Sequence, residues 1–299
     1  MNHLFIINPM AGKGKTLKYV ENIKEIFNER DEKYIIEITK YKGHATEIVK
    51  EYTKKSQYRV YSIGGDGTLN EILNGIINSN SSLAIIPAGS GNDFIRTIVK
   101  NLDDDNILFN TINGEDKIID LAKVNTRFFV NISSIGFDAN VVNNSKFYKK
   151  KKFISGPMAY FISIITTIFK FKPINIEIKI DDKLIKDRIL LLAVANGKYY
   201  GGGIPIAPFA KIDDGLFEIY LIKQVSIFKL LKSLKKVIKG EHTYSVEEID
   251  YLKGKSILVS SKEKLIVNID GEIVESNELN FKIISKGLKI VKPLRGEAI

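Results

Sequence analysis

The chain has 299 residues, with 45 Lys or Arg against 35 Asp or Glu, a formal charge of +10, and no cysteine. That length allows two domains and a sizeable core, and a hydrophobic content of 44% excludes a disordered chain. The lack of cysteine excludes disulfides and thiolate metal sites, while the positive balance favours nucleotide, nucleic acid or an acidic membrane surface as partner.

In chain order, the start Met1-Asn-His-Leu-Phe-Ile-Ile has no basic region and no cleavage site, so no signal peptide is expected. Strands are expected at 4–7, 34–39, 59–63 and 83–86, each followed by a helix, at 16–27, 45–54, 69–77 and 92–99. This alternation implies a parallel sheet with helices on both faces, whose ligands bind beyond the carboxyl ends of the strands. From about residue 120 strands dominate: 118–124, 128–133, 174–180, 190–195, 217–222, 257–259, 265–269 and 279–284. Two helices interrupt them, 158–169 and 226–239. The apolar stretch 157–169 is too short to span a bilayer and reads as a buried helix. A second, mainly antiparallel β domain follows.

Three glycine loops fall at the ends of the early strands: Asn8-Pro-Met-Ala-Gly-Lys-Gly14, Gly64-Gly-Asp-Gly-Thr68 and Pro87-Ala-Gly-Ser-Gly-Asn-Asp93. Backbone without side chains lets phosphate approach closely, and the next helix offers free N–H groups. The first loop ends Gly14-Lys15-Thr16 as a P-loop does, but Pro9 stands where that motif needs its first glycine, so a Walker-type NTPase is disfavoured. Asp66, between glycines at a helix start, makes sense if it holds a metal through water or orients an acceptor. Asn92 reads as an N-cap and Asp93 as a first-turn dipole partner, with Arg96 placed to neutralise phosphate or pair with Asp93. Asp270-Gly-Glu272 reads either as a paired-carboxylate base or as an Asp-Gly hairpin. Asp213-Asp-Gly-Leu216 reads either as a hard-cation loop or as a turn with Asx bonds. His3, His44 and His242 have no metal-like spacing.

With Gly43-His-Ala45, Asn70-Glu71, Phe94, Gly136-Phe-Asp138, Asn196-Gly197 and Gly201-Gly-Gly203, these motifs make the chain similar to the bacterial diacylglycerol kinase-type lipid kinases, in the superfamily of sphingosine kinases. The resemblance implies an α/β plus β fold. An N-terminal parallel α/β domain of the NAD kinase/phosphofructokinase-like kind, residues 1–122, would be joined by 290–299. A C-terminal antiparallel β-sandwich, 123–289, would hold the lipid substrate. It implies an ATP site lined by Asn8, Pro9, Met10, Ala11, Gly12 and Thr39, by Gly64, Gly65, Gly67, Thr68, Leu69 and Asn70, and by Ser90, Gly91 and Asn92. Glu272 and Asp270 would be catalytic, Glu272 preferred as base, and Asp66 would join a magnesium–water network. A structural Mg²⁺ would be held by the Asp214 carboxylate and the Lys211 and Leu216 carbonyls.

The implied activity is an ATP- and Mg²⁺-dependent kinase converting diacylglycerol to phosphatidic acid in phospholipid metabolism. The rivals are a kinase of another lipid alcohol, an NAD kinase-like enzyme of a soluble metabolite, and a non-catalytic membrane or nucleotide sensor. Lys149-Lys-Lys-Lys-Phe153 and the basic, amphipathic 226–239 stretch suit an anionic surface, although a solvated face of a core-packed helix explains the latter equally well. A cytoplasmic chain, peripheral at the inner membrane surface, is expected, with a homodimer compatible and no nucleic-acid partner.

Overall fold

In the computed structural model, residues 1–99, 105–149, 171–225, 236–243 and 246–294 are described, with positions 158, 162, 163, 166, 167, 229 and 233 between them. Leu4 to Ile7 are wholly buried, as a strand covered on both faces requires. They form β1 (Asn2–Ile7), which pairs in parallel with β2 (Lys33–Ile38) and β3 (Arg59–Gly64); β3 pairs in parallel with β4 (Ser82–Pro87). Alternate side chains serve opposite faces. Leu4 and Ile6 pack with α2 (His44–Thr53) and α3 (Asp66–Ile76) through Ile48, Val49, Ile72 and Leu73. Phe5 and Ile7 pack with α1 (Lys18–Asn28) through Ile23 and Phe27, and with α5 (Ile107–Ile112), which follows α4 (Ile95–Ile98).

The remaining strands are mostly antiparallel. They are β5 (Glu115–Val124), β6 (Arg127–Phe129), β7 (Ile132–Gly136), β8 (Ile174–Ile180), β9 (Lys183–Ala195), β10 (Phe217–Lys223), β11 (Ile249–Gly254), β12 (Ser256–Ile269) and β13 (Glu272–Lys292), with α6 (Phe137–Lys149) after β7. Their inner faces enclose a core in which Phe129 lies 6.2 Å from Phe217 and 6.3 Å from Phe281 between ring centres.

β13 joins everything. It pairs antiparallel with β12 and with β5, and its end meets β4 in parallel at Ile290 and Leu83, so the described strands form one 13-stranded sheet. Its register slips between Ile284 and Leu288, where Lys286 takes a φ of 56°. Buried Asp120 braces the slip, accepting the Lys286 N–H at 2.9 Å and the Gly215 N–H at 2.6 Å.

Several elements differ from expectation for local reasons. The strand expected at 128–133 is broken into β6 and β7, because the N–H groups of Val130, Asn131 and Ile132 bond the Asp270 carboxylate instead of a neighbouring strand. The polar run 260–264 looked like a gap, yet β12 continues through it with a register shift. The helix expected over 92–99 shortens to α4, and α5 and α6 were not anticipated. The 149–153 lysine run, except for position 149, lies outside the described residues. So do most of 158–169 and 226–239, and residues 295–299. Among the described residues no helix is long and apolar enough to cross a membrane.

Candidate active site

The three glycine loops meet at the carboxyl ends of β1, β3 and β4. Asn8 opens the first: its side-chain N–H donates to the Thr68 hydroxyl at 3.0 Å, and its carbonyl accepts the Thr16 hydroxyl at 2.7 Å. The Asn8 side-chain oxygen accepts the Met10 N–H at 3.0 Å, and Ala11 N–H returns to the Asn8 carbonyl. Thr39 N–H bonds the Ile7 carbonyl, which sets Thr39 beside this loop. The second and third loops touch through bare backbone: a Cβ on Gly89 would lie 2.4 Å from the Gly65 Cα. That approach explains why both positions lack a side chain. Gly67, Met10 and Ser90 are exposed, whereas Thr68 and Asn70 are buried and hold protein partners, Asn70 accepting from Arg127 at 3.1 Å. The Asn70 side-chain nitrogen is buried without a partner. Pro9, Gly12, Gly64, Leu69 and Gly91 complete the loops around them.

Asp66 begins α3, and its carboxylate ties the second loop to the third: it accepts the Asn92 and Asp93 N–H groups, each at 2.9 Å. Desolvation, then the nearby Asp93 charge, pushes its pKa up. Asn92 is not the N-cap expected of it. It has a φ of 52° and folds back on Gly89, accepting its N–H and donating to its carbonyl, both at 2.9 Å. Nor do Asp93 and Arg96 meet: Asp93 accepts N–H groups of Gly202 and Gly203, and Arg96 donates to the Gly91 carbonyl.

Across the cleft, β12 and β13 are joined by Asp270 and Gly271, with φ of 46° and 89°, the positive pair of a tight hairpin turn. The turn is therefore a hairpin and also faces the loops. Asp270 and Gly271 line, with Asp66, Asp93, Phe94 and Asn131, a cleft of about 150 Å³. Glu272, the first residue of β13, is not among the residues that line the cleft; its carboxylate lies 2.7 Å from the Lys42 ammonium on the loop that precedes α2. Burial pushes the Asp270 pKa to about 7, against the opposing pull of three main-chain N–H groups and with a further push from Asp66.

The 211–216 loop lies apart from this cleft. Asp214 accepts the Leu216 N–H at 3.1 Å, an Asx bond, and its other oxygen is 4.0 Å from the Lys253 ammonium. Asp213 pairs with Lys117 at 3.2 Å. The donors available there, one carboxylate and the Lys211 and Leu216 carbonyls, are all hard oxygens and fit a cation such as Mg²⁺ as a class. Among the described residues no group of three His, Cys, Asp or Glu side chains is arranged to hold a metal ion, so an ion at this loop would depend on the carbonyls.

Sequence reasoning overlooked Lys42 and Tyr200. Tyr200 lines the cleft and also a second, apolar chamber of about 210 Å³, walled by Ile132, Val141, Leu191, Ile206, Tyr220 and Ile249 among others. Its position directly before the Gly201-Gly-Gly203 run was the available signal.

The family described as "Diacylglycerol kinase catalytic domain" matches residues 2–124, and the "YegS C-terminal NAD kinase beta sandwich-like domain" matches 131–292. A diacylglycerol kinase of Bacillus subtilis (strain 168) is 28% identical, covering 96% of this chain and 95% of its own. One from Staphylococcus epidermidis (strain ATCC 12228 / FDA PCI 1200) is 30% identical, covering 84% and 81%. A solved structure from Bacillus anthracis str. Sterne, described as a candidate diacylglycerol kinase, superposes with a TM-score of 0.77 at 29% identity, covering 99% of this chain and 98% of the other.

Proposed function

Because the chain belongs to the diacylglycerol kinase-type lipid kinase family, we propose that it transfers the γ-phosphoryl group of Mg²⁺-bound ATP to the free hydroxyl of diacylglycerol, giving phosphatidic acid. One observation carries the reading: Asp66 and Asp270 come from opposite ends of the chain and line one cleft beside the glycine loops. Phosphoryl transfer asks the protein for position and charge neutralisation more than covalent chemistry. In this reading the α3 N-terminus and those loop N–H groups not already bonded within the protein receive the phosphates. Mg²⁺ brought with ATP would supply neutralisation of phosphate charge, and Asp66, whose carboxylate already ties the second loop to the third, would be the residue to hold it. Asp270, its oxygens committed to Val130, Asn131 and Ile132, anchors the turn, while Glu272 accepts the proton of the lipid hydroxyl. Lys42 holds Glu272 on the donor side of the cleft.

The chamber behind Tyr200 favours a lipid over a soluble acceptor, since aliphatic side chains such as Ile132, Val141, Leu191 and Ile249 make up much of its wall. The +10 charge supports an encounter with an anionic membrane surface. A structural cation at Asp214 would stiffen the 211–216 loop and take no part in transfer. Labelled phosphate transfer from ATP, read by thin-layer chromatography over diacylglycerol, sphingoid base, undecaprenol and NAD, tests the proposal. Phosphatidic acid is the expected product; label on NAD alone overturns it.

A further inference from the structure

The turn between β12 and β13 is held from behind by a chain of hydrogen bonds that runs to the apolar chamber. Gly271 N–H donates to the Asn268 side-chain oxygen at 2.9 Å. Asn268 is wholly buried, and with that oxygen engaged its nitrogen donates to the Tyr200 hydroxyl oxygen. The amide orientation is determined: flipping it would set its NH₂ against the Gly271 N–H, donor against donor. Tyr200 is left with its own proton to give, and Asp138 receives it. Asp138 also accepts the Ser134 hydroxyl. Every bond in the series runs toward the Asp138 carboxylate, the arrangement in which hydrogen bonds polarise one another.

Asp138 and Ser134 sit in the wall of the apolar chamber, and the Asp138 Oδ1 is buried there without a hydrogen-bond partner. Tyr200 lines both the chamber and the cleft. Its hydroxyl therefore reports to the turn, while its ring is exposed to whatever fills the chamber. A chain packed against the ring restricts it, and an unfilled chamber leaves it space to move. The engineered cavity of about 150 Å³ that binds benzene sets the scale: this one, at about 210 Å³, holds a segment of a single hydrocarbon chain.

We propose that Tyr200 is a positioning residue that couples occupancy of the chamber by an acyl chain to the placement of the Asp270–Glu272 turn. The proposal rests on the lipid kinase reading above. It makes turnover depend on acyl length through kcat: a long chain sets the turn for transfer, and a short one leaves it loose. Tyr200→Phe keeps the ring and its packing but cuts the chain of bonds. Asp138→Asn keeps an acceptor for Tyr200 while removing the charge that orients it.

The experiment compares kcat and KM for ATP and for dioleoyl and dihexanoyl glycerol in mixed micelles, with wild type and both variants. Wild type is expected to turn over the long acceptor with a kcat roughly tenfold above the short one, the scale of a single hydrogen bond. In Tyr200→Phe that ratio is expected to fall toward one, with KM for ATP little moved, and Asp138→Asn is expected to show the same effect at smaller size. A ratio near one in wild type, or a ratio unaltered in Tyr200→Phe, overturns the coupling. Should Tyr200→Phe fail to fold in a thermal melt, Asp138→Asn decides in the same way. Absence of transfer to any diacylglycerol in wild type overturns the lipid kinase reading itself, which is a separate result.

Discussion

Asp270 accepts three main-chain N–H groups and still has a pKa of about 7, because the cleft withdraws it from water and Asp66 lies nearby. A group so committed is better suited to holding a turn than to leaving it. Two conservative substitutions separate these roles. Glu272→Gln is expected to lower kcat by at least about 10²-fold while changing stability by less than about 0.5 kcal/mol, because its side chain is partly exposed and its partner Lys42 is exposed. Asp270→Asn is expected to lose activity and about 1–3 kcal/mol of stability together, since N–H groups now bonded to a carboxylate lose part of their acceptor. Chemical denaturation beside steady-state kinetics checks both, and equal destabilisation by the two would reverse the assignment. Asp138 supplies a pH test. Burial pushes it from 3.8 to about 6, so the folded chain binds a proton that the unfolded chain has released between those values. Stability therefore falls as pH rises through that window and levels off above it, with Asp270 extending the fall toward 7. Asp138→Asn is expected to remove up to about 3 kcal/mol of that dependence, read from urea midpoints at pH 4, 6 and 8. An unchanged slope would mean the carboxyl titrates normally.

At the level of elements, the close approach of the second and third loops makes Gly89→Ala a sharp probe. The added methyl would stand 2.4 Å from the Gly65 Cα, which is backbone and cannot turn aside. About 1–3 kcal/mol of destabilisation is expected, with weaker ATP binding by calorimetry; wild-type affinity would show that the contact is dispensable. Asp214→Ala is expected to lower the melting temperature, and EDTA to lower it in wild type but not in the variant. Identical melts with and without EDTA in wild type would exclude a structural ion at the 211–216 loop. These loops were legible in the sequence because a glycine at the end of an apolar run advertises close backbone approach whatever lies around it. Asn92 was misread because capping depends on where the helix starts: its positive φ and its bonds to Gly89 leave the first helical turn to Ile95. The split of β6 from β7 was unreadable for a related reason. Its cause is a carboxylate about 140 positions along the chain, and local patterning carries no trace of it.

For the whole molecule, β13 is the long-range feature that periodicity does not reveal. Its 21 residues read as one short strand because Ser276, Asn277, Glu278 and Lys286 interrupt the apolar pattern, although its neighbours β12 and β5 supply the missing pairing. Ile290 is fully buried where β13 meets β4. Ile290→Ala is expected to cost about 2–4 kcal/mol, with near-UV and far-UV signals still falling together in one transition. Two separated transitions would show that the halves melt independently. The register slip at 284–288 has a mechanical consequence. β13 runs as one continuous rib from its pairing with β12 and β5 to its meeting with β4, and so links both walls of the cleft. Any yawning of the jaws to admit a nucleotide or release a product would flex this rib, and the interrupted ladder at 284–288 is where it would bend. Asp120 clasps that stretch to the loop at Gly215, so an ion seated near Asp214 would stiffen the jaw's spring from a distance, and its removal would be felt as a change in the tempo of opening.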